Sequence, residues 1–486
     1  MRKTRSTRKD ALTLAQAAAI KSALQLLTPI VLVRLLDQSE FGEYRLFWLI
    51  ANTAVMLVAL GVDRSLLYFL PRSSPDERRV YVSQTMVYFL AVGLLAGIFL
   101  TVGEYWLPSS IASLTDPSYT LTLFVIIWVA STPINVLPNA DQNIVWQARI
   151  IIAVSLLRAL IVITTAQITG SIQAVFVALL FWAALQWLLL AYYVGSRYGL
   201  RMSLPKRNML DRQLSYAIPF GISRVFTGSR RQGEQWIVAF LFSPASFAVF
   251  SIGMSFLVVL RLVRSSLGNV LLPKMSRSSA REDMPRSLEL NSRGNIAVVM
   301  FTAPAVAFIW FFAEPLVRLL YTQAYLDAAP VLRVYMVTLL VMSTELATVL
   351  MVLEQGRHVA KVNALVLVLS LMISFFGGKL FGITGVALGA LAGEILSRVL
   401  NYRHASRILG IPAGQLQDWP TLARISFAAI AAAGISRFAV YKLDQDSDFL
   451  ILCAGAFSFT CVFALSLIVF RIDWVLKAMA NRGNWR

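Results

Sequence analysis

Basic side chains stand in this sequence where no soluble surface can be. Lys21, Arg158, Arg224, Arg231, Arg261 and Arg264 each fall inside a long, mostly apolar stretch. An ionisable group in hydrocarbon is costly, so such residues face a bundle interior or a watery cavity. Spacing gathers them. Lys21, Gln25 and Thr28 share one helical face, Arg224, Gly228 and Arg231 share another, and Arg261 and Arg264 a third. Their chemistry is anion recognition, because a guanidinium engages phosphate bidentately and an ammonium acts as a point charge. The expectation is a cationic substrate cavity.

Other charged residues have plainer roles. Arg34, Arg149 and Lys379 lie near the ends of apolar runs and are expected to snorkel to the headgroups. Glu234 with Arg230 and Arg231, and Glu394 with Arg398, have the spacing of helix ion pairs. Glu345 differs, being a mid-span carboxylate with no base nearby in sequence. It is the candidate for coupling to an H⁺ or Na⁺ gradient, against a structural pair with a base on another helix.

Catalysis has no constellation here. Cys453 and Cys461 are eight residues apart, about 12 Å along a helix, beyond disulfide reach. His358 and His404 are expected in separate loops, without a Cys or carboxylate cluster. No metal, cofactor or enzyme activity is expected. The net charge of +19 would fit a nucleic-acid binder, but the bases are dispersed over many short loops with no recognition module.

The elements that must position these residues follow from composition. Hydrophobic residues make up 58% and charged residues 14% of the 486, against about 25% charged in soluble domains. Val80 to Gly103, Ser171 to Gly195 and Phe449 to Phe470 carry no charge, and each exceeds the roughly 20 residues that cross a bilayer. In hydrocarbon each backbone polar group is paired within its own segment, so these runs are helices. The expected class is an all-α polytopic membrane protein with about fourteen transmembrane helices. Spans are predicted near 13–35, 44–66, 80–103, 119–138, 146–168, 171–195, 214–240, 247–270, 295–313, 332–353, 360–381, 383–402, 421–441 and 449–470.

Loop charge then orients the bundle. Arg2 to Lys9, Arg72 to Arg79, Arg197 to Arg212, Lys274 to Arg293, Arg403 with Arg407, and Arg471 to Arg486 all fall on one side. The opposite loops are nearly free of bases: Glu104 to Pro117 has none. Positive loops stay cytoplasmic, which puts both termini inside. The sequence also repeats itself. Phe41, Gly42 and Tyr44 of the first hairpin align with Phe247, Ala248 and Phe250, and a Pro-basic ending recurs at Pro71-Arg72 and Pro273-Lys274. Both hairpins begin on one side, so the halves are parallel repeats, a transporter signature.

Several motifs carry a family resemblance. They are SEFGEY (Ser39 to Tyr44), LSYAIPF (Leu214 to Phe220), LLYTQAYLDAAPVLRV (Leu319 to Val334), and then EQGRHVAKVNA and GITGVALGALAGE. In this order and spacing they resemble the polysaccharide transporters, the Wzx-like flippases of the multidrug/oligosaccharidyl-lipid/polysaccharide exporter superfamily. The resemblance implies two six-helix lobes, at 1–200 and 201–410, around a central cavity, with two additional helices in 411–486. It implies translocation of an undecaprenyl-diphosphate-linked oligosaccharide to the outer leaflet of the bacterial inner membrane, for O-antigen or exopolysaccharide synthesis. A polysaccharide polymerase and chain-length machinery are the implied partners. An ion-coupled drug or metabolite exporter of the same superfamily is the alternative. One departure stands out: where relatives place an Asp-Arg pair late in the seventh span, this chain has Arg230, Arg231 and Glu234.

Overall fold

The computed structural model describes residues 2–103, 119–199, 203–257, 284–441 and 447–469, with side chains from Thr13 onward apart from those of Thr227 and Arg231. The expected positions Arg261 and Arg264, the side chain of Arg231 and the Pro273-Lys274 ending lie outside the described residues.

All regular elements among the described residues are helical. The first unit, Met1–Ala248, holds α1 (Arg2–Leu32), α2 (Gln38–Val58), α3 (Val62–Phe69), α4 (Pro75–Val102), α5 (Thr120–Ser131), α6 (Leu137–Ala140), α7 (Ile144–Thr169), α8 (Ile172–Tyr198) and α9 (Arg207–Leu241). α10 (Pro244–Ser255) leads into the second unit, Val249–Arg486. That unit contains α11 (Met284–Phe311), α12 (Ala313–Tyr321), α13 (Ala328–Met342), α14 (Ala347–Val352), α15 (Gly356–Leu409), α16 (Trp419–Tyr441) and α17 (Asp448–Val469).

Ten helices among the described residues are long and apolar enough to cross a membrane, and the pair α2–α3, bent by 50°, makes an eleventh span. α15 runs for 54 residues but breaks at Phe381 and at Gly382, which has φ 64°. It therefore holds two of the expected spans, 360–381 and 383–402. α9 is 35 residues long and carries too many charges to count as an apolar span, which is the property that singled it out in the sequence. Phe99, Phe181, Leu380 and Phe457 are each more than 65% exposed. This outward apolar surface is the side that hydrocarbon would cover.

Side chains cap both helix starts that the sequence aligns. The Asp37 carboxylate accepts the Glu40 N–H at 2.8 Å, and Glu40 returns the bond to the Asp37 N–H, a reciprocal cap. At the aligned position the Ser243 hydroxyl accepts the Ser246 N–H at 3.3 Å. Phe41 and Phe247 are both buried, as are Gly42 and Ala248, and Tyr44 and Phe250.

Within the first unit α1 packs on α7, α5 on α4 and α8, and α9 lies along α2 and α3. Within the second, α11 packs on α13 and α16, and α16 on α17. The two halves of α15 meet through small residues. A Cβ on Gly385 would fall 1.9 Å from the Gly377 carbonyl oxygen, one on Gly389 2.0 Å from the Ser374 hydroxyl, and one on Gly393 2.6 Å from the Ser370 Cβ. The Gly385, Gly389 and Gly393 ridge is thus a packing surface that lets two backbones approach closely. One expectation is corrected here. His358 and His404 are not in separate loops but on α15, where their rings stack 3.4 Å apart at 7°.

Candidate functional site

The first unit brings two of the expected bases together. Lys21 on α1 lies within electrostatic reach of Arg158 on α7, because α1 and α7 pack along each other. Neither makes an ion pair with a carboxylate among the described residues. Two like charges inside a helical bundle repel, and the absence of a balancing acid leaves the site short of negative charge.

Aromatic residues hold the guanidinium. Arg158 sits 5.1 Å from the ring centroid of Trp48 on α2 and 5.7 Å from that of Trp182 on α8. Such cation–π contacts contribute about 0.5–1 kcal/mol exposed and about 2 kcal/mol when desolvated. Trp128 on α5 completes the cluster, 5.5 Å from Trp48 and 5.3 Å from Trp182. The Trp182 indole donates to the Val154 carbonyl at 3.0 Å, which fixes its ring. Trp48 Nε1, Trp128 Nε1 and Arg158 Nε are all buried without a hydrogen-bond partner. All three are donors. A buried donor left unsatisfied costs about 1–3 kcal/mol, so the cluster is suited to an oxygen-rich, negatively charged ligand.

Arg224 belongs to a different group. It projects from α9 and acts electrostatically on Asp63, at the start of α3. The bend between α2 and α3 creates this place. Leu60 and Gly61 adopt positive φ, 40° and 75°, and α9 crosses them so closely that a Cβ on Gly221 would lie 2.2 Å from the Leu60 carbonyl oxygen. Asp63 is buried and its Oδ1 has no hydrogen-bond partner. Beneath it a polar network ties α9 to α3 and α4. Gln84 donates to Gln213 at 2.6 Å, and the Gln213 amide donates to Ser65 at 2.8 Å and Thr85 at 2.9 Å. Farther along α9, the Trp236 indole donates to the Thr53 hydroxyl at 3.0 Å.

The second unit positions Glu345 in an unexpected way. The expected span 332–353 is interrupted between α13 and α14, and Glu345 lies in the unwound segment. Its carbonyl accepts from the Asn291 and Asn295 side-chain amides, both at 2.9 Å, and its N–H donates to the Asn295 Oδ1 at 3.3 Å. Asn295 also donates to Gln417 at 2.9 Å. The side chains of α11 thus replace the helical hydrogen bonds lost at the break, as a broken span requires. Glu394 and Arg398 form the expected buried pair on α15, and Arg398 also donates to the Met342 carbonyl at 3.3 Å. Glu234 is buried, and both it and Arg230 have partners.

Sequence reasoning missed the tryptophan cluster, Asp63 and the Gln84–Gln213 network. The indoles lie on α2, α5 and α8, so no local spacing marks them. Asp63 carried a usable signal: a carboxylate two residues after Leu60-Gly61, at the end of an apolar run. A group of three or more Cys, His, Asp or Glu able to hold a metal is absent among the described residues.

The arrangement has solved counterparts. Lipid II flippase MurJ, in an inward closed conformation, superposes with a TM-score of 0.72 at 15% identity, covering 96% of this chain and 100% of its own. An inward-facing multidrug resistance MATE family transporter of the MOP superfamily superposes at 0.60 with 15% identity, covering 80% of this chain and 95% of its own. A MOP superfamily transporter from Pyrococcus furiosus, described as having a binding pocket of reverse polarity, does so at 0.51 with 14% identity, covering 83% and 96%. At these identities the likeness is one of fold. No curated protein matches the sequence. The family model described as "Polysaccharide biosynthesis protein" matches residues 31–330, which include the bent α2–α3 span, Arg158, the three tryptophans and Arg224. The chain therefore belongs to the polysaccharide biosynthesis protein family, and it is a multi-pass membrane protein with the fold of the MurJ and MATE transporters.

Proposed function

We propose that this protein is a flippase. It moves a polyprenyl-diphosphate-linked oligosaccharide repeat unit from the cytoplasmic to the outer leaflet of a bacterial inner membrane, by alternating access and without catalysis. The product is a building block for surface polysaccharide, O-antigen or exopolysaccharide, to be taken up by a polymerase and its chain-length machinery. Both termini are cytoplasmic in this reading, as the loop charges favour.

The carrying observation is the donor-rich cage of Lys21, Arg158, Trp48 and Trp128, in which neither base has a carboxylate partner among the described residues. A diphosphate supplies the missing charge and acceptors, and the indole faces suit the sugars beside it. Arg224, Arg231, Arg261 and Arg264, the other misplaced bases of the sequence, are proposed as further substrate-binding residues, Arg224 from its separate place beside Asp63. Glu345, in its unwound segment, is the coupling site for H⁺ or Na⁺, since broken spans are where transporters place ion sites.

The test is gene deletion followed by analysis of the lipid-linked pool. Repeat units trapped on the cytoplasmic leaflet, released by wild type but not by Lys21→Gln/Arg158→Gln, are expected. A second reading, an ion-coupled drug or metabolite exporter, draws on the buried Asp63 and its unpartnered oxygen. An unchanged lipid pool with altered drug sensitivity would establish that reading and sink the flippase.

A further inference from the structure

A second basic site lies on the surface of the first unit, made of residues that the cage does not use. Arg64, Leu67, Tyr68, Pro71 and Arg72, at and just beyond α3, line a cleft of about 420 Å³ with Tyr216 of α9. Arg64, Tyr68 and Arg72 recur every four residues, which places them on one side of the segment. The Arg72 guanidinium lies 3.9 Å from the Tyr68 ring centroid, and Tyr68 stacks on Tyr216 at 4.5 Å and 22°.

Charge here is also unbalanced. Neither guanidinium is paired with a carboxylate among the described residues, and the neighbouring Asp63 is buried while Arg64 and Arg72 are exposed. The support is firm on both sides. Gly61 approaches Ala217 closely, with a Cβ position 3.1 Å from its carbonyl oxygen. Gln213, one turn before Tyr216, is pinned to Ser65 and Thr85. Two guanidinium forks on one cleft, that of Arg72 held over Tyr68, match two phosphoryl groups in tandem better than one, since each guanidinium can bind one phosphoryl bidentately. Leu67 and Pro71 add an apolar wall, which an inorganic ion would not need.

We propose that this cleft is a docking site for the diphosphate of a prenyl lipid, distinct in residues from the Lys21–Arg158 cage. The inference rests on the flippase reading for the lipid's identity, and on the loop charges for placing the Arg72 end at the cytoplasmic face. The lipid is captured there before its head enters the transport path.

A photoreactive benzophenone analogue of farnesyl diphosphate, applied to the full-length protein in detergent, reads this site separately from the cage. Labelling of the segments 62–72 and 207–221 is expected to fall at least tenfold in Arg64→Gln/Arg72→Gln and to persist in Lys21→Gln/Arg158→Gln. The single variant Arg72→Ala, at an exposed position, should lower labelling severalfold with an unchanged unfolding temperature, and so covers any folding defect of the double variant. Equal labelling of Arg64→Gln/Arg72→Gln and wild type overturns the proposal. Competition separates the sources of the anion. Farnesyl diphosphate should displace the probe at concentrations at least tenfold below inorganic pyrophosphate or phosphatidylglycerol; equal potency of either overturns the assignment to a prenyl diphosphate. The flippase reading fails on a different result, an unaltered lipid-linked pool in the deletion strain.

Discussion

The Cβ that Gly42 lacks would lie 1.9 Å from the carbonyl oxygen of Pro244. Gly42 stands in the second turn of α2 and Pro244 opens α10, the two helices that the sequence repeat aligns. The contact is backbone against backbone, so no side-chain rotation can relieve an added methyl. Overpacking of this kind costs about 1–3 kcal/mol. Gly42→Ala should lower the unfolding temperature in detergent, and Gly42→Val should lower it further. An Ala variant as stable as wild type would mean that the two helix starts separate freely.

Arg158 gives the second prediction. Its guanidinium lies against Trp48 and Trp182, and its Nε is buried without a partner. Lysine keeps the charge but loses the planar fork and the stacking. Arg158→Lys should therefore retain the fold and lose about tenfold in translocation, for a deficit near 1.4 kcal/mol. Trp48→Phe, which keeps a ring but removes the indole donor, should lose less than Trp48→Ala. Flipping of a fluorescent lipid-linked saccharide in proteoliposomes measures each. Full activity in Arg158→Lys would reduce the residue to a bare point charge.

Asn295 gives the third. It donates to the Glu345 carbonyl and to Gln417, and accepts the Glu345 N–H. Removing its amide takes the partner from the Glu345 N–H and from the Gln417 side-chain oxygen, at about 1–3 kcal/mol each, while Asn291 still donates to the Glu345 carbonyl. Asn295→Ala should destabilise the protein by about 3 kcal/mol, because few alternative partners exist in a membrane interior. Asn295→Asp keeps the acceptor but sets a buried carboxylate against the Glu345 carbonyl and the Gln417 oxygen, so it should be at least as destabilised as Asn295→Ala. Thermal unfolding in detergent orders the three proteins; an Ala variant indistinguishable from wild type would mean that the break is held by other contacts.

What the sequence made legible follows from where each signal resides. Long uncharged runs specify helices because hydrocarbon leaves the backbone no other option, and the stretches around Val80, Ser171 and Phe449 are helical as expected. The Glu394–Arg398 pair and the Gly385–Gly393 ridge were readable because their spacing lies within one helix. The break at Glu345 was not. Apart from Arg333 and the short polar run Ser343-Thr344-Glu345 the span around it is mostly apolar, and the Asn291 and Asn295 amides that stabilise its unwinding come from a helix about fifty residues earlier in the sequence. Lys21 and Arg158 could each be marked as misplaced bases, but the meeting of α1 with α7 is a tertiary fact. The stacked rings of His358 and His404 are another, since they depend on α15 folding back at Gly382.

The Glu394–Arg398 pair yields the last prediction, and it separates the strength of an interaction from its contribution to stability. Both side chains are nearly inaccessible, at 6% and 12% exposure. Removing one partner of such a pair leaves a charge in a low-dielectric site and costs about 3–5 kcal/mol, whereas replacing both by apolar residues of similar volume is often neutral or stabilising. Glu394→Leu should therefore unfold well below wild type, because it strands the Arg398 charge, and Arg398→Met similarly. The double variant Glu394→Leu/Arg398→Met should recover most of the loss, although the Met342 carbonyl forfeits its donor from Arg398. Measured as a double-mutant cycle, the pair should show a coupling of about 2 kcal/mol or more, within the range for residues in direct contact. If the double variant is as damaged as the sum of the singles, the pair does not act as a unit. Each charge would then be held by other groups, as Arg398 is in part by the Met342 carbonyl.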